Sequence, residues 1–204
     1  MNFAKILPMA IVMIAGPQIL SAIFLATGEG WRRNSLAYVS GAALSITGFV
    51  SLGFALGIGA SNAGASDEAV YVAILGLLLA AAVHTYLGRA TAEPPNWMGK
   101  LQTATSGFSF KLGFLLLGVF PTDIFTSLAV GSFLSNEGDP WWHLLPFLCL
   151  TLLLLALPSL LVIALRDRAQ VLLPKLRDWM RDNSWVVNEA VIGLFVLLTI
   201  DNLV

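Results

Sequence analysis

The chain reads as an all-α polytopic membrane protein with six transmembrane helices, and three observations predict this. Only 11% of its 204 residues are charged while 57% are hydrophobic, against about 25% charged in a soluble domain. Six stretches are long and apolar enough to cross a hydrocarbon core, which takes about 20 residues of helix. The basic residues then collect in alternate connections between those stretches.

The stretches are 6–27, 36–58, 69–87, 112–134, 144–165 and 186–204. None alternates as a strand would, and an open sheet in lipid would leave backbone groups unpaired. The first is too long for the apolar part of a signal peptide and no small-x-small cleavage site follows it, so it is expected to be a retained helix. Arg32 and Arg33 follow the first stretch, Arg89 and Lys100 the third, and Arg166, Arg168, Lys175, Arg177 and Arg181 the fifth. Lys111 borders the same side; Lys5 lies opposite, with Asp67, Glu68, Glu137 and Asp139. The positive-inside rule makes the three basic connections cytoplasmic and puts both termini outside a plasma membrane.

The connections differ in kind. Ser61 to Ser66 is a small external turn, whereas 91–107, with Pro94 and Pro95, joins two halves. Residues 171–181 mix Leu172, Leu173, Leu176, Trp179 and Met180 with Lys175, Arg177 and Arg181, the pattern of a short interfacial amphipathic helix or of a charged topology anchor. Trp141, Trp142 and His143 suit an outer aromatic belt. Gly41, Ser45, Gly48, Gly53 and Gly57 form a small-residue face for close helix packing, which leaves room for a homodimer.

The halves 1–90 and 108–204 look alike. Pro17 lies inside the first stretch and Pro121 inside the fourth; each is followed by a glycine, Gly28 or Gly131, and then a tryptophan, Trp31 or Trp141. Three helices per half is an odd number, so the halves must have opposite topology, as two inverted repeats. Proline inside a helix removes a hydrogen bond and pushes the preceding residue out of helical geometry. The first and fourth helices are therefore expected to break at Pro17 and Pro121, leaving polar half-helix ends near the membrane midplane.

Asp123 is the leading candidate for chemistry. A carboxylate at mid-helix costs about 2.5 to 3.5 kcal/mol on insertion scales and normally faces a cavity or the bundle interior. There it can exchange a proton, hold a cation or bind a substrate's polar part; the alternative is a plain cap for the broken helix. Thr122, Thr126 and Ser127 extend a polar stripe around it, and Gln18 and Ser21 are the first half's neutral counterpart. Asn188 and Glu189 make a second, weaker candidate site; His84 is expected to be interfacial or satisfied within the bundle, and Cys149 to be a small core residue.

Several classes are excluded. The single cysteine and two histidines offer no disulfide and no thiolate zinc site, so no metal or cofactor is expected. A net charge of -1 gives no reason to expect nucleic acid. No hydrolase or nucleotide-binding motif occurs, and the chain is expected not to be an enzyme.

Three segments carry a family resemblance: Gly16-Pro17 leading into Arg32-Arg33 and Gly41; Phe120-Pro121-Thr122-Asp123; and Leu173-Pro174-Lys175-Leu176-Arg177-Asp178-Trp179. Together they resemble the LysE superfamily of exporters, and within it the GAP family of glycopeptidolipid or sulfolipid addressing proteins. The likeness spans essentially the whole chain. Many relatives carry Asn-Pro in the fourth helix, where this chain has Phe120-Pro121. The resemblance implies inverted three-helix repeats and export of lipid-like molecules. The expectation is a secondary transporter, an exporter of a lipid or small amphipathic metabolite working by alternating access at a midplane polar site. Its partners would be membrane lipids and that substrate. The competing expectation is a non-transporting scaffold or accessory subunit of a lipid synthesis or secretion complex.

Overall fold

The computed structural model describes residues 3–14, 16–56, 101, 103–165 and 167–183, with single positions at 76, 79, 83, 86, 87, 186, 193 and 196. Nearly all of the third and sixth stretches, the 61–66 turn, most of the 91–107 connection, His84, Asn188 and Glu189 lie outside the described residues. Those described are helical, with turns and no strand. The elements are α1 (Phe3–Ile14), α2 (Pro17–Thr27), α3 (Trp31–Leu56), α4 (Ser106–Val119), α5 (Pro121–Asn136), a 3-10 turn (Trp141–Leu144), α6 (Leu145–Leu165) and α7 (Asp167–Asp182). Two of these runs, Trp31–Leu56 and Trp141–Leu165, are long and apolar enough to cross a membrane alone. The bent pair α4–α5, with 68° between its halves, makes a third if it counts as one span.

The chain divides into two compact units. One comprises Met1–Gly59 and Asn96–Arg177, the other Ala60–Pro95 and Asp178–Val204. The second contains few described residues; α1 to α6 and most of α7 belong to the first.

Both expected breaks are present, each coded locally. α1 stops at Ile14 and α2 starts at Pro17, with Gly16 between them at φ 87°, a region that side chains rarely enter. α4 stops at Val119 and α5 starts at Pro121, with Phe120 at φ -66° and ψ 123°. That extended geometry is what a following proline imposes. Each proline takes the first helical position, where its missing N–H leaves nothing unpaired. Pro158 and Pro174, by contrast, lie inside continuous helices, α6 and α7.

α3 is the axis of the first unit, about 39 Å long at 1.5 Å per residue. α4 and α5 pack along it through glycines. A Cβ on Gly41 would strike the Phe110 carbonyl, one on Gly113 the Tyr38 carbonyl, one on Gly53 the Leu128 carbonyl and one on Gly131 the Val50 carbonyl. The expected small-residue face is thus a packing face at Gly41, Ser45 and Gly53. Gly48 departs from it: that residue is exposed, with nothing near its missing side chain. Gly57 lies outside the described residues. α6 closes the unit against α1, α2 and α3. Cys149, expected in the core, is exposed on α6, because the buried positions of that helix are Phe147, Thr151, Leu155 and Pro158.

α3 starts at Trp31, five residues before the expected boundary, because Gly30 at φ 62° turns the chain and its carbonyl accepts from the N–H groups of Arg33 and Asn34. Asn34 fastens this turn. Its Nδ2 donates to the carbonyls of Glu29 (2.9 Å) and Ala104 (2.8 Å), and its Oδ1 accepts from the Ser106 hydroxyl. The entry to α4 is therefore tied to the entry to α3.

The unit's charges separate by end. Arg32 and Arg33 at the start of α3, Lys111 near the start of α4, and Arg168 and Lys175 on α7 are exposed at one end. At the other end, Glu137 and Asp139 follow α5, Asp139 pairs with His143 at 3.1 Å, and Trp141 Nε1 donates to Ser51 near the end of α3.

Candidate functional site

The two breaks meet. Gln18 occupies the second position of α2 and Asp123 the third position of α5. Gln18 Nε2 donates to Asp123 Oδ2 at 2.6 Å across 105 residues of sequence. The residues are 2% and 1% exposed, so this bond forms away from solvent, where hydrogen bonds are electrostatically stronger. The first turn of a helix also favours a carboxylate, because its unpaired N–H groups carry partial positive charge.

A third helix completes the arrangement. The buried hydroxyl of Tyr38, on α3, donates to the Gln18 carbonyl at 2.9 Å. That carbonyl belongs to the first turn of α2, so α3 holds the start of the second half-helix in place. Ser21 donates to the Pro17 carbonyl at 2.6 Å, one turn back. Ser127, one turn after Asp123, donates toward Met13 Sδ on α1 at 4.0 Å. Three half-helix segments, α1, α2 and α5, and α3 thus converge on one buried polar cluster.

The cluster is not fully satisfied. Gln18 Oε1 is buried without a hydrogen-bond partner. An orphan acceptor of this kind costs about 1 to 3 kcal/mol. It sits beside a carboxylate, so the pair presents acceptors to any incoming donor or cation. The depth is close to mid-helix: Gly118, two residues before the second break, packs on Ser45, which lies about 21 Å along α3 from Trp31.

Of the residues the sequence singles out, Gln18, Ser21 and Asp123 belong to this one cluster, and Pro17 and Pro121 start the two helices that carry them. The backbone of Thr122 lies in the first turn of α5; its side chain is outside the described residues. Thr126 is half-buried on the same helix. Asn188 and Glu189 lie outside the described residues. Sequence reasoning missed Tyr38 and Asn34. A tyrosine eight residues into an apolar helix was the available signal for the first, since a buried phenol needs a partner. Asn34, next to Arg32 and Arg33, looked like an ordinary surface residue. Among the described residues no group of three or more His, Cys, Asp or Glu side chains is placed to hold a metal.

Comparison with known proteins adds a family. The family model described as Sap, sulfolipid-1-addressing protein, matches residues 6–202. No curated protein and no solved structure matches the chain.

Proposed function

Since the chain belongs to the sulfolipid-1-addressing protein family, we propose that it is a secondary carrier that moves a lipid or small amphipathic molecule across the plasma membrane, toward the outer face. The observation that carries this reading is the Gln18–Asp123 bond, which joins two interrupted helices at mid-depth beside an unpaired acceptor. Carriers of this type bind cargo where discontinuous helices meet. A purely structural bundle gains nothing from two breaks and a buried carboxylate, which raise its folding cost.

The remaining features of the reading are six spans in two inverted three-helix repeats, three basic cytoplasmic connections and both termini outside. The charge separation between the ends of the first unit supports that orientation. The composition of the two units supports the repeat: 1–59 goes with 96–177 and 60–95 with 178–204, so each unit draws corresponding stretches from both halves. Transport by alternating access would expose the Gln18–Asp123 cluster to each side in turn, with the carboxylate binding a proton or the polar part of the cargo. On this reading the protein is not an enzyme.

The experiment is transbilayer movement of fluorescent phosphatidylglycerol and fluorescent fatty acid in proteoliposomes. Wild-type protein is expected to accelerate at least one probe about tenfold or more over empty vesicles, a change of about 1.4 kcal/mol or more in barrier. Asp123→Asn should remove the dependence of that movement on a pH gradient. Folded wild-type protein that moves neither probe would end the carrier reading.

A second reading has its own support. α7 exposes Arg168, Val171, Leu172, Lys175 and Leu176 at helical spacing while burying Ala169 and Leu173. Such a face suits an accessory subunit docking on a lipid-handling complex. It predicts that Leu172→Glu abolishes co-purification of a partner and leaves vesicle transport unchanged.

A further inference from the structure

A groove of about 250 Å³ runs between the first turns of α3 and the last turns of α6. Its walls include Leu36, Ala156, Leu160 and Ile163, with Arg32 at one end and Ser35 inside. We propose that this groove holds one acyl chain of an anionic membrane lipid, with the headgroup on Arg32. The site is separate from the Gln18–Asp123 cluster, and the proposal stands whether or not the protein transports.

Two observations select this occupant. The walls are almost wholly apolar, so the bulk of the ligand is hydrocarbon; such a surface keeps no polar molecule. The groove starts at the basic end of the unit. Arg32 lies 5.2 Å from the Trp31 ring centroid, a cation–π contact that steadies the guanidinium at the groove's edge. Arg32 and Arg33 are both exposed at this end of α3. A guanidinium suits phosphate or sulfate oxygens, which it can meet with two parallel bonds. An uncharged metabolite would use neither Arg32 nor the gradient of polarity along the groove.

The test uses Trp31, which also lines the groove, as the reporter. The full chain is reconstituted in vesicles containing phosphatidylglycerol or phosphatidylcholine with brominated chains, at equal mole fraction. The Trp31 emission is taken as the difference between wild type and Trp31→Phe. Brominated phosphatidylglycerol is expected to quench that emission several-fold more than brominated phosphatidylcholine. Arg32→Gln should erase the preference while some quenching remains. Ala156→Phe, which fills the groove, should abolish the preferential quenching, and Ser159→Leu serves the same purpose if Ala156→Phe fails to fold. Excess inorganic phosphate should leave the phosphatidylglycerol signal unchanged, separating a seated lipid from a simple anion. Equal quenching by the two lipids in wild type would overturn the proposal, as would preferential quenching that survives a filled groove.

Discussion

The break before Pro17 and the break before Pro121 reach the same outcome by different means. At the first, Gly16 carries the distortion in a positive-φ conformation and the polar residue that follows is a neutral amide, Gln18. At the second, Phe120 remains in ordinary extended geometry and the polar residue is an acid, Asp123. One break depends on backbone freedom and supplies a donor; the other needs no special backbone and supplies the charge. Pro158 sharpens the contrast, since α6 continues through it. A proline therefore interrupts these helices only where the preceding residue leaves helical geometry and a partner waits for the exposed end.

Substitutions can break that comparison, and the largest effect is expected where the second break is clamped to α3. Gly131→Leu would drive a side chain into the Val50 carbonyl. A backbone collision of this sort belongs among the rare changes that cost about 4 kcal/mol or more. Little monodisperse protein should elute from size-exclusion chromatography in mild detergent; a normal profile would show that α5 does not need its close approach.

Next comes the asymmetry of the joining pair. Gln18→Leu leaves a buried carboxyl group without its donor and should cost about 3 kcal/mol, the upper end for an orphaned polar group. Asp123→Leu leaves only a neutral amide unpaired, about 1 to 3 kcal/mol, and should be the milder change. Equilibrium unfolding in mixed micelles ranks the two, and the reverse order would mean that the carboxylate is not held chiefly by Gln18.

The backbone difference gives a smaller effect. Gly16→Ala forces a side chain into positive φ and should cost about 1 to 3 kcal/mol. Phe120→Ala, at a conformation any residue adopts, should cost less than half of that despite removing a larger group, because Phe120 is 41% exposed. Equal losses in thermal unfolding would remove the distinction between the two breaks. Last, Tyr38→Phe removes one bond to the Gln18 carbonyl and should lower stability by about 1 kcal/mol in the same unfolding measurement. An unchanged midpoint would mean that α3 does not hold the start of α2.

Much of this was legible from the order of residues. Helices and apolar spans follow from composition and run length, because lipid forces every backbone group to pair within its own segment. The two breaks follow from Pro17 and Pro121, and the close packing of α3 from Gly41, Ser45 and Gly53. The site's membership was half legible. Asp123 and Gln18 each stood out as polar groups after a proline break, but not as hydrogen-bond partners. Tyr38 and Asn34 did not stand out, since their roles depend on what lies opposite them.

Local chemistry therefore settled where the chain is helical, where it is interrupted and which side chains are too polar for their surroundings. Which of those side chains find one another was left to packing. Gln18 reaches Asp123 across 105 residues only because α4 and α5 are drawn onto α3 by backbone-to-backbone contact at glycines. Periodicity and proline act within a few residues of themselves, whereas the partner of a buried carboxylate is chosen by the whole bundle.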